Sequence, residues 1–213
     1  MIKKSGIKQI FESKYVKLYD MNADGDHSYN VASRREFDRL PATKTEEEYL
    51  SLLPDAVSLL VVLKIKGEEP KLLLSKEYRY PAGQYLLSVP AGLIDPEDRE
   101  KEDACIITAV RELYEETGIQ IEDSDKVELI NPYLFSSPGI TDEGNALIYM
   151  EINRDRMPDM TQDGAVGMEK FNGFSILSKK DVERLFAQGR DDKGIYFPVW
   201  TWCAMIYFLY ISK

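Results

Sequence analysis

The sequence is poor in the residues that build histidine and cysteine sites. Its 213 residues include one histidine, His27, and two cysteines, Cys105 and Cys203. A single histidine excludes a zinc site made of several histidines and argues against a histidine-based catalytic triad. The two cysteines lie far apart, each in an apolar segment, so we expect two buried reduced thiols and no disulfide framework.

Basic residues are also scarce relative to acidic ones. Lysine and arginine number 27 against 37 aspartates and glutamates, which gives a formal net charge of -10. Duplex nucleic acid would be repelled by this charge, and no basic run offers a local exception, so we predict no nucleic-acid partner. A small anionic substrate is still compatible with the charge, because a bound divalent cation can invert the local field.

Long hydrophobic runs of membrane-spanning length are absent. Residues 1–10 contain no apolar signal-peptide core, and the most apolar stretch, residues 197–211, is too short to cross a bilayer. We interpret this stretch as a helix packed in the core, and we expect a cytoplasmic protein with no membrane partner.

The hydrophobic pattern predicts many strands and three longer helices. A polar turn at residues 20–25 begins like a calcium-binding EF-hand loop, but Val31 stands where that loop requires glutamate, so we predict a hairpin turn. The order of elements predicts an α+β fold or a layered α/β/α sandwich. The predicted strands cover residues 15–19, 28–34, 56–65, 71–78, 85–89, 127–135, 146–152 and 174–177, and the helices cover residues 100–117, 179–188 and 197–211; residues 40–49 are interpreted as a linker and residues 154–167 as irregular.

Three acidic residues cluster near the end of the helix predicted at residues 100–117. Glu112, Glu115 and Glu116 are three and four positions apart, beside an apolar stripe that includes Leu113. Like charges at this spacing each cost about 0.2–0.5 kcal/mol, and the helix dipole disfavours negative charge at this end. A solvated acidic helix end, partly neutralised by Arg111, is one interpretation. The other is a site for Mg²⁺, which carboxylates and substrate phosphates commonly hold together.

The same segment carries a family signature. Residues 111–119, Arg-Glu-Leu-Tyr-Glu-Glu-Thr-Gly-Ile, match without a gap the second half of the Nudix signature, Arg-Glu-apolar-any-Glu-Glu-any-Gly-apolar. The sequence therefore resembles the Nudix hydrolase family. The first half departs from the pattern, since Asp103 stands where the family has glutamate and the loop after Gly92 is several residues longer.

Three flanking segments resemble the ADP-ribose pyrophosphatase branch of that family. Residues 76–81 are similar to a strand end whose arginine, here Arg79, binds substrate phosphate, and residues 89–92 are similar to a turn whose carbonyl, here that of Ala91, ligates metal. The branch often has glutamate where Ser88 stands, so one supporting carboxylate is missing. Residues 136–143 are similar to a mobile loop whose glutamate, here Glu143, acts as general base or metal ligand, with Asp142 as its nearest competitor.

The resemblance implies a Nudix-type α/β/α sandwich with a mixed β-sheet and a small N-terminal β extension. It implies that Glu112, Glu115, Glu116 and the Ala91 carbonyl bind Mg²⁺, with Mn²⁺ as the alternative, and that Arg111 orients the carboxylates. Residues 1–50 would form the extension, through which Arg34 and Arg35 could reach a nucleotide across a homodimer interface, and residues 51–213 the catalytic domain.

The implied activity is metal-dependent hydrolysis of a pyrophosphate bond in a small nucleotide, with ADP-ribose giving AMP and ribose 5-phosphate. Three alternatives stay open. The substrate could be another nucleoside diphosphate sugar or a nucleoside triphosphate, or the chain could be a non-catalytic Nudix-fold module that binds a nucleotide.

Overall fold

The computed structural model describes residues 4–22, 25–164 and 167–211. The chain divides into a small unit, Met1–Asp55 with Pro132–Asn145, and a large unit, Ala56–Asn131 with Ala146–Lys213. Some predictions fall partly outside the described residues: the signal-peptide assessment on residues 1–3, the hairpin turn on residues 23–24 and the irregular segment on residues 165–166. The boundary expected at residue 50 stays a prediction.

The small unit contains a three-stranded antiparallel sheet of β1 (Lys8–Glu12), β2 (Lys17–Asp20) and β3 (Asn30–Ser33). The two predicted strands are confirmed as β2 and β3. Strand β1 was not predicted, because all five of its residues are exposed and give no buried alternation. Residues in the predicted linker form α1 (Glu46–Leu50), where Thr45 and Glu48 make a capping box that starts the helix.

The large unit contributes to a seven-stranded sheet. Its central order is β10-β5-β4-β9-β8, with β6 paired to β5 and β7 paired to β4. Hydrogen bonds from Asp55 to Gly144 and from Lys66 to Arg154 join the two ends of β4 to the corresponding ends of β9, so these two strands run parallel. The other registered pairs are antiparallel, and the sheet is therefore mixed, as predicted. The strands are β4 (Ala56–Ile65), β5 (Lys71–Arg79), β6 (Gln84–Ser88), β7 (Ala91–Leu93), β8 (Lys126–Phe135), β9 (Gly144–Arg154) and β10 (Phe171–Leu177).

Helices cover both faces of this sheet. Helices α3 (Lys179–Gln188) and α4 (Val199–Ile211) share a core with Leu60 and Val62 of β4. The alternate β4 residues Leu59, Val61 and Leu63 are also fully buried, and they face the opposite side, where α2 (Ala104–Thr117) packs against β4 and β7. The predicted α/β/α sandwich is confirmed.

The apolar segment that contains α4 forms a helix packed in the core, as predicted. Its Ala204, Met205 and Phe208 are buried in the core. Within the described residues, no helix combines the length and apolarity needed to cross a bilayer. Cys203 of α4 and Cys105 of α2 are both free thiols, as expected, although each is half-buried and not fully buried.

Two further elements differ from the sequence-based prediction. Helix α2 begins at Ala104 and not at residue 100, because backbone hydrogen bonds from Lys101 to Asp98 and from Ala104 to Lys101 hold the preceding residues in turns. Strand β7 was missed because it is a three-residue segment that pairs with β4 inside the Pro-Ala-Gly turn. Both differences lie on the path that leads from the sheet to α2.

Replacing the most buried aromatic residue of α4 should destabilise the fold strongly. Phe208 is 0% exposed, so we expect Phe208→Ala to lower the free energy of unfolding by about 3–5 kcal/mol through lost contacts and a cavity. Ile206→Ala, on the same helix but 43% exposed, is the matched control and should cost about 1 kcal/mol or less. Urea unfolding measures both. Equal losses in the two variants would contradict the packing of α4 against the sheet.

Candidate active site

Helix α2 places its three clustered glutamates in two environments, one buried and one partly exposed to solvent. Ala109 and Leu113 are fully buried and fix the face that packs on the sheet. Glu112 and Glu116, one turn apart beside this face, are only 7% and 4% exposed. The side chain of Glu115 lies further out and is 33% exposed. The helix therefore buries two of its three clustered carboxylates.

Arg111 ties the helix to the chain that follows β7. Its guanidinium lies 2.8 Å from the Glu112 carboxylate and 2.9 Å from that of Glu115, to which it donates a hydrogen bond. It also donates to the Leu93 carbonyl at 3.0 Å and lies 3.3 Å from Asp95. Arg111 thus contacts two of the three glutamates.

Ala91 faces the other buried carboxylate. Its N–H donates a hydrogen bond to Glu116 Oε1 at 3.3 Å. Ala91 lies opposite Ser58, while the Leu59 N–H donates to the neighbouring Pro90 carbonyl, so Ala91 and Ser58 form a pair without hydrogen bonds to each other. Both main-chain groups of Ala91 therefore point away from β4. The carbonyl that was predicted to bind metal is not used by the β4–β7 ladder.

Gly92 permits the close approach between the turn and the helix. A Cβ atom at this position would lie 1.9 Å from Cδ of Glu112, which no real contact allows. Any other residue at this position would therefore displace the Glu112 carboxylate from its place. Asp103, by contrast, precedes the first residue of α2 and makes no side-chain capping hydrogen bond.

Burial makes both inner carboxylates unusually basic. It raises the pKa of Glu112 to about 7, although Arg111 opposes the change, and the charge of Glu115 adds to it. Burial also raises the pKa of Glu116 well above its ordinary value, against the Ala91 hydrogen bond. Among the described residues, Glu116 has no ion pair with a lysine or arginine. The protein therefore compensates the ionised form of these two carboxylates only in part.

The donor set fits a hard divalent cation. Among the described residues, no three His, Cys, Asp or Glu side chains form a ready-made metal cluster. Mg²⁺ does not require one, because it is usually bound by one or two carboxylates, several waters and substrate phosphates. The carboxylates of Glu112 and Glu116 and the carbonyl of Ala91 offer oxygen ligands of that kind. A bound cation would also offset the cost of burying the ionised carboxylates.

Two further acidic residues lie near the site and were not predicted. Glu77 of β5 is 8% exposed and pairs with Arg79 at 2.6 Å. Glu169 precedes β10, and its charge contributes to raising the pKa of Glu77, Glu112 and Glu116, after burial in each case. An acidic residue inside a buried strand is a signal that could have identified Glu77. Glu169 lies in a polar segment that carries no such signal.

The remaining predicted residues lie in the small unit. Arg34 is 3.8 Å from the Glu143 carboxylate, and Ser33 donates a hydrogen bond to Asp142 at 2.9 Å. Burial raises the pKa of Asp142. The guanidinium of Arg35 is already engaged by a buried ion pair with Asp55 at 2.8 Å. The structure thus brings Arg34, Asp142 and Glu143 together in this unit, while Arg35 is used internally.

Comparison with known proteins identifies similar sequences. The NUDIX domain family model matches residues 52–162. An ADP-ribose pyrophosphatase of Saccharomyces cerevisiae is 36% identical over 101 residues, which covers 46% of this chain and 39% of the relative. An ADP-sugar pyrophosphatase of Mus musculus is 33% identical over 138 residues, which covers 64% of this chain and 59% of the relative. The chain spans less than two thirds of the length of these relatives.

Among solved structures, an ADP compounds hydrolase shares the fold. The alignment has a TM-score of 0.51 and 14% sequence identity, and it covers 97% of this chain and 90% of that chain. At this level of identity the likeness supports the mixed α+β architecture alone.

Removing the charge of Glu112 should stabilise the metal-free protein at high pH. Because burial raises the pKa of this carboxyl from 4.5 to about 7, the folded chain holds the proton more tightly than the unfolded chain. Ionisation of Glu112 therefore destabilises the folded protein. This destabilisation is absent at low pH, where the carboxyl is protonated in both the folded and the unfolded chain, and it grows as the pH rises towards the pKa of Glu112 in the folded chain. We expect Glu112→Gln to match the parent protein at a pH well below 4.5, the ordinary pKa of this carboxyl, and to be more stable at pH 8 by up to about 3 kcal/mol.

Urea unfolding in EDTA measures this difference, and lost contact with Arg111 will reduce it. Excess Mg²⁺ should favour the parent protein instead, because a bound cation stabilises only the ionised site. A variant that is less stable than the parent at pH 8 in EDTA would contradict the electrostatic account.

Proposed function

Since the chain belongs to the NUDIX family, we propose that it is a metal-dependent hydrolase of the pyrophosphate bond in ADP-ribose or a closely related nucleoside diphosphate sugar. Water would add across the bond between the two phosphorus atoms, and ADP-ribose would give AMP and ribose 5-phosphate. The observation that carries the proposal is the buried pair Glu112 and Glu116 beside the Ala91 main chain.

The proposed cation is Mg²⁺, with Mn²⁺ as the alternative. Glu112, Glu116 and the Ala91 carbonyl would hold it, and Glu115 would support the set from its more exposed position. When bound, the cation neutralises charge on the diphosphate and lowers the pKa of a coordinated water. The buried carboxylates support this assignment, because they have too few cationic partners of their own.

Two arginines of the large unit would act on the substrate and on the acidic set. Arg79 would bind a phosphate oxygen, and its side chain, which is 45% exposed, is accessible for that role. Arg111 would keep Glu112 and Glu115 oriented through its two ion pairs. Charge-assisted hydrogen bonds of this kind are stronger than neutral ones and fix geometry.

Glu143 is the proposed proton acceptor for the attacking water, on the basis of the resemblance. Its side chain is 34% exposed, whereas Asp142 is held by Ser33. Glu169 is a second candidate, because its charge acts on Glu112 and Glu116 within the same unit. Comparing the pH–rate profiles of Glu143→Gln and Glu169→Gln decides between them, since loss of the general base removes the acidic limb.

Nucleotide binding by the small unit is a further part of the proposal. Arg34 is half-exposed and its only described ion pair is the 3.8 Å contact with Glu143, so it is available to an anionic ligand. Arg35 is the weaker candidate, because binding a ligand would require it to leave Asp55. A homodimer and a cytoplasmic location remain proposals that rest on the resemblance and on the sequence.

The substrate class is supported by the relatives, which are named for ADP-ribose and ADP-sugars. Other nucleoside diphosphate sugars and nucleoside triphosphates are the alternatives. We expect a panel of ADP-ribose, UDP-glucose, GDP-mannose and dNTPs to give the highest kcat/KM for ADP-ribose. Preferential turnover of a dNTP would overturn the substrate assignment, while tight binding without turnover of any compound would favour a non-catalytic module.

Removing the charge of Glu116 should abolish most of the activity without unfolding the protein. Metal charge stabilisation is worth several kcal/mol, so we expect Glu116→Gln to lower kcat by about 100-fold or more. Glu183→Gln, an exposed position on α3, is the matched control and should retain full activity. Turnover of Glu116→Gln close to that of the control, with Mg²⁺ saturating, would refute the metal assignment.

A further inference from the structure

Glu77 lies where an ionised carboxylate is energetically unfavourable. It lies in β5, whose neighbouring residues Leu72, Leu73 and Leu74 are fully buried, and it is itself only 8% exposed. Burying an ionised carboxylate is unfavourable unless charge or hydrogen bonds compensate. Its ion pair with Arg79 compensates in part, but that arginine is 45% exposed and shares its interaction with water.

The register of β5 and β6 places Glu77 beside Ser88. Glu77 lies opposite Leu86 and Ser75 lies opposite Ser88, so Glu77 and Ser88 are diagonal neighbours on the same face of the sheet. The Ser88 hydroxyl is buried and has no hydrogen bond of ordinary geometry. It is nevertheless close enough to lower the pKa of Glu77, which burial raises. A buried polar patch therefore extends from β5 to β6.

This patch continues to the metal-binding carboxylates. Strand β6 ends at Ser88, and the chain then reaches Ala91, whose N–H holds Glu116. Glu77 lies close enough to Glu116 for its charge to act on that carboxylate, as does Glu112. The charges of Glu77, Glu112 and Glu169 thus all act on Glu116. Such an arrangement is unfavourable by itself and becomes favourable when a cation is present.

We propose that Glu77 is a positioning residue that strengthens divalent-cation binding at Glu112 and Glu116 from the neighbouring strand β5. The proposal rests on the metal-dependent function proposed above. It also accounts for Ser88, where the resemblance leads us to expect a carboxylate, because Glu77 supplies one to the same place from the diagonal position. Through its ion pair, the same carboxylate holds Arg79 beside the site.

The test measures Mn²⁺ affinity without nucleotide, from the free Mn²⁺ signal in electron paramagnetic resonance. Loss of a supporting carboxylate typically weakens metal binding by about 10–100-fold, and we expect a loss of that size in Glu77→Gln. Glu151→Gln is the matched control, because Glu151 also lies in the sheet and pairs with Lys64 at 2.8 Å. Its Mn²⁺ affinity should equal that of the parent protein.

Two further variants separate metal support from the orientation of Arg79. Arg79→Gln should raise KM and leave Mn²⁺ affinity unchanged. Glu77→Gln combined with Ser88→Glu should recover most of the lost affinity, because it returns a carboxylate to the same patch. Unchanged Mn²⁺ binding in Glu77→Gln, with only the KM effect of Arg79→Gln, would overturn the inference alone. Absence of Mn²⁺ binding in the parent protein would overturn the proposed function as well.

Discussion

The burial of two carboxylates against a single turn of chain is the constraint on which the site depends. Glu112 and Glu116 are held at the C-terminal end of α2, where both desolvation and the helix dipole oppose their charge. No packing advantage compensates, since apolar side chains of similar size would bury there at lower cost. Such an arrangement is expected where binding or catalysis requires the charge.

The fold is organised so that this unfavourable pair is held rigidly. The apolar stripe of α2 packs on β4 and β7, and Gly92 lets the turn approach Glu112 more closely than any other residue would. Arg111 spans from the helix to the Leu93 carbonyl. The register of β4 and β7 also contributes, because it leaves the main-chain N–H and carbonyl of Ala91 directed away from β4, and the N–H then contacts Glu116 of the helix. Pre-positioning of this kind would reduce the cost of binding an ion.

Elements that depend on the local sequence pattern were predicted, whereas elements and site residues that depend on contacts between distant parts of the chain were not. The helix that carries the acidic residues and the strand Ala56–Ile65 follow from spacing and hydrophobicity, and both elements were predicted correctly. Strand β7 exists only through its pairing with β4, and the exposed strand β1 only through its pairing with β2. Likewise, Glu77 looks like an ordinary strand residue until the β5–β6 register places it next to Ser88. Sheet register is a tertiary property that a single sequence does not encode locally.

Anomalous diffraction from crystals soaked in Mn²⁺ and a non-hydrolysable ADP-ribose analogue tests the central claim most directly. The account predicts an ion within about 2.5 Å of carboxylate oxygens of Glu112 and Glu116 and of the Ala91 carbonyl, with a diphosphate oxygen completing its coordination. A bound analogue with no ion at these oxygens, and with both carboxyl groups protonated or turned to solvent, would contradict it.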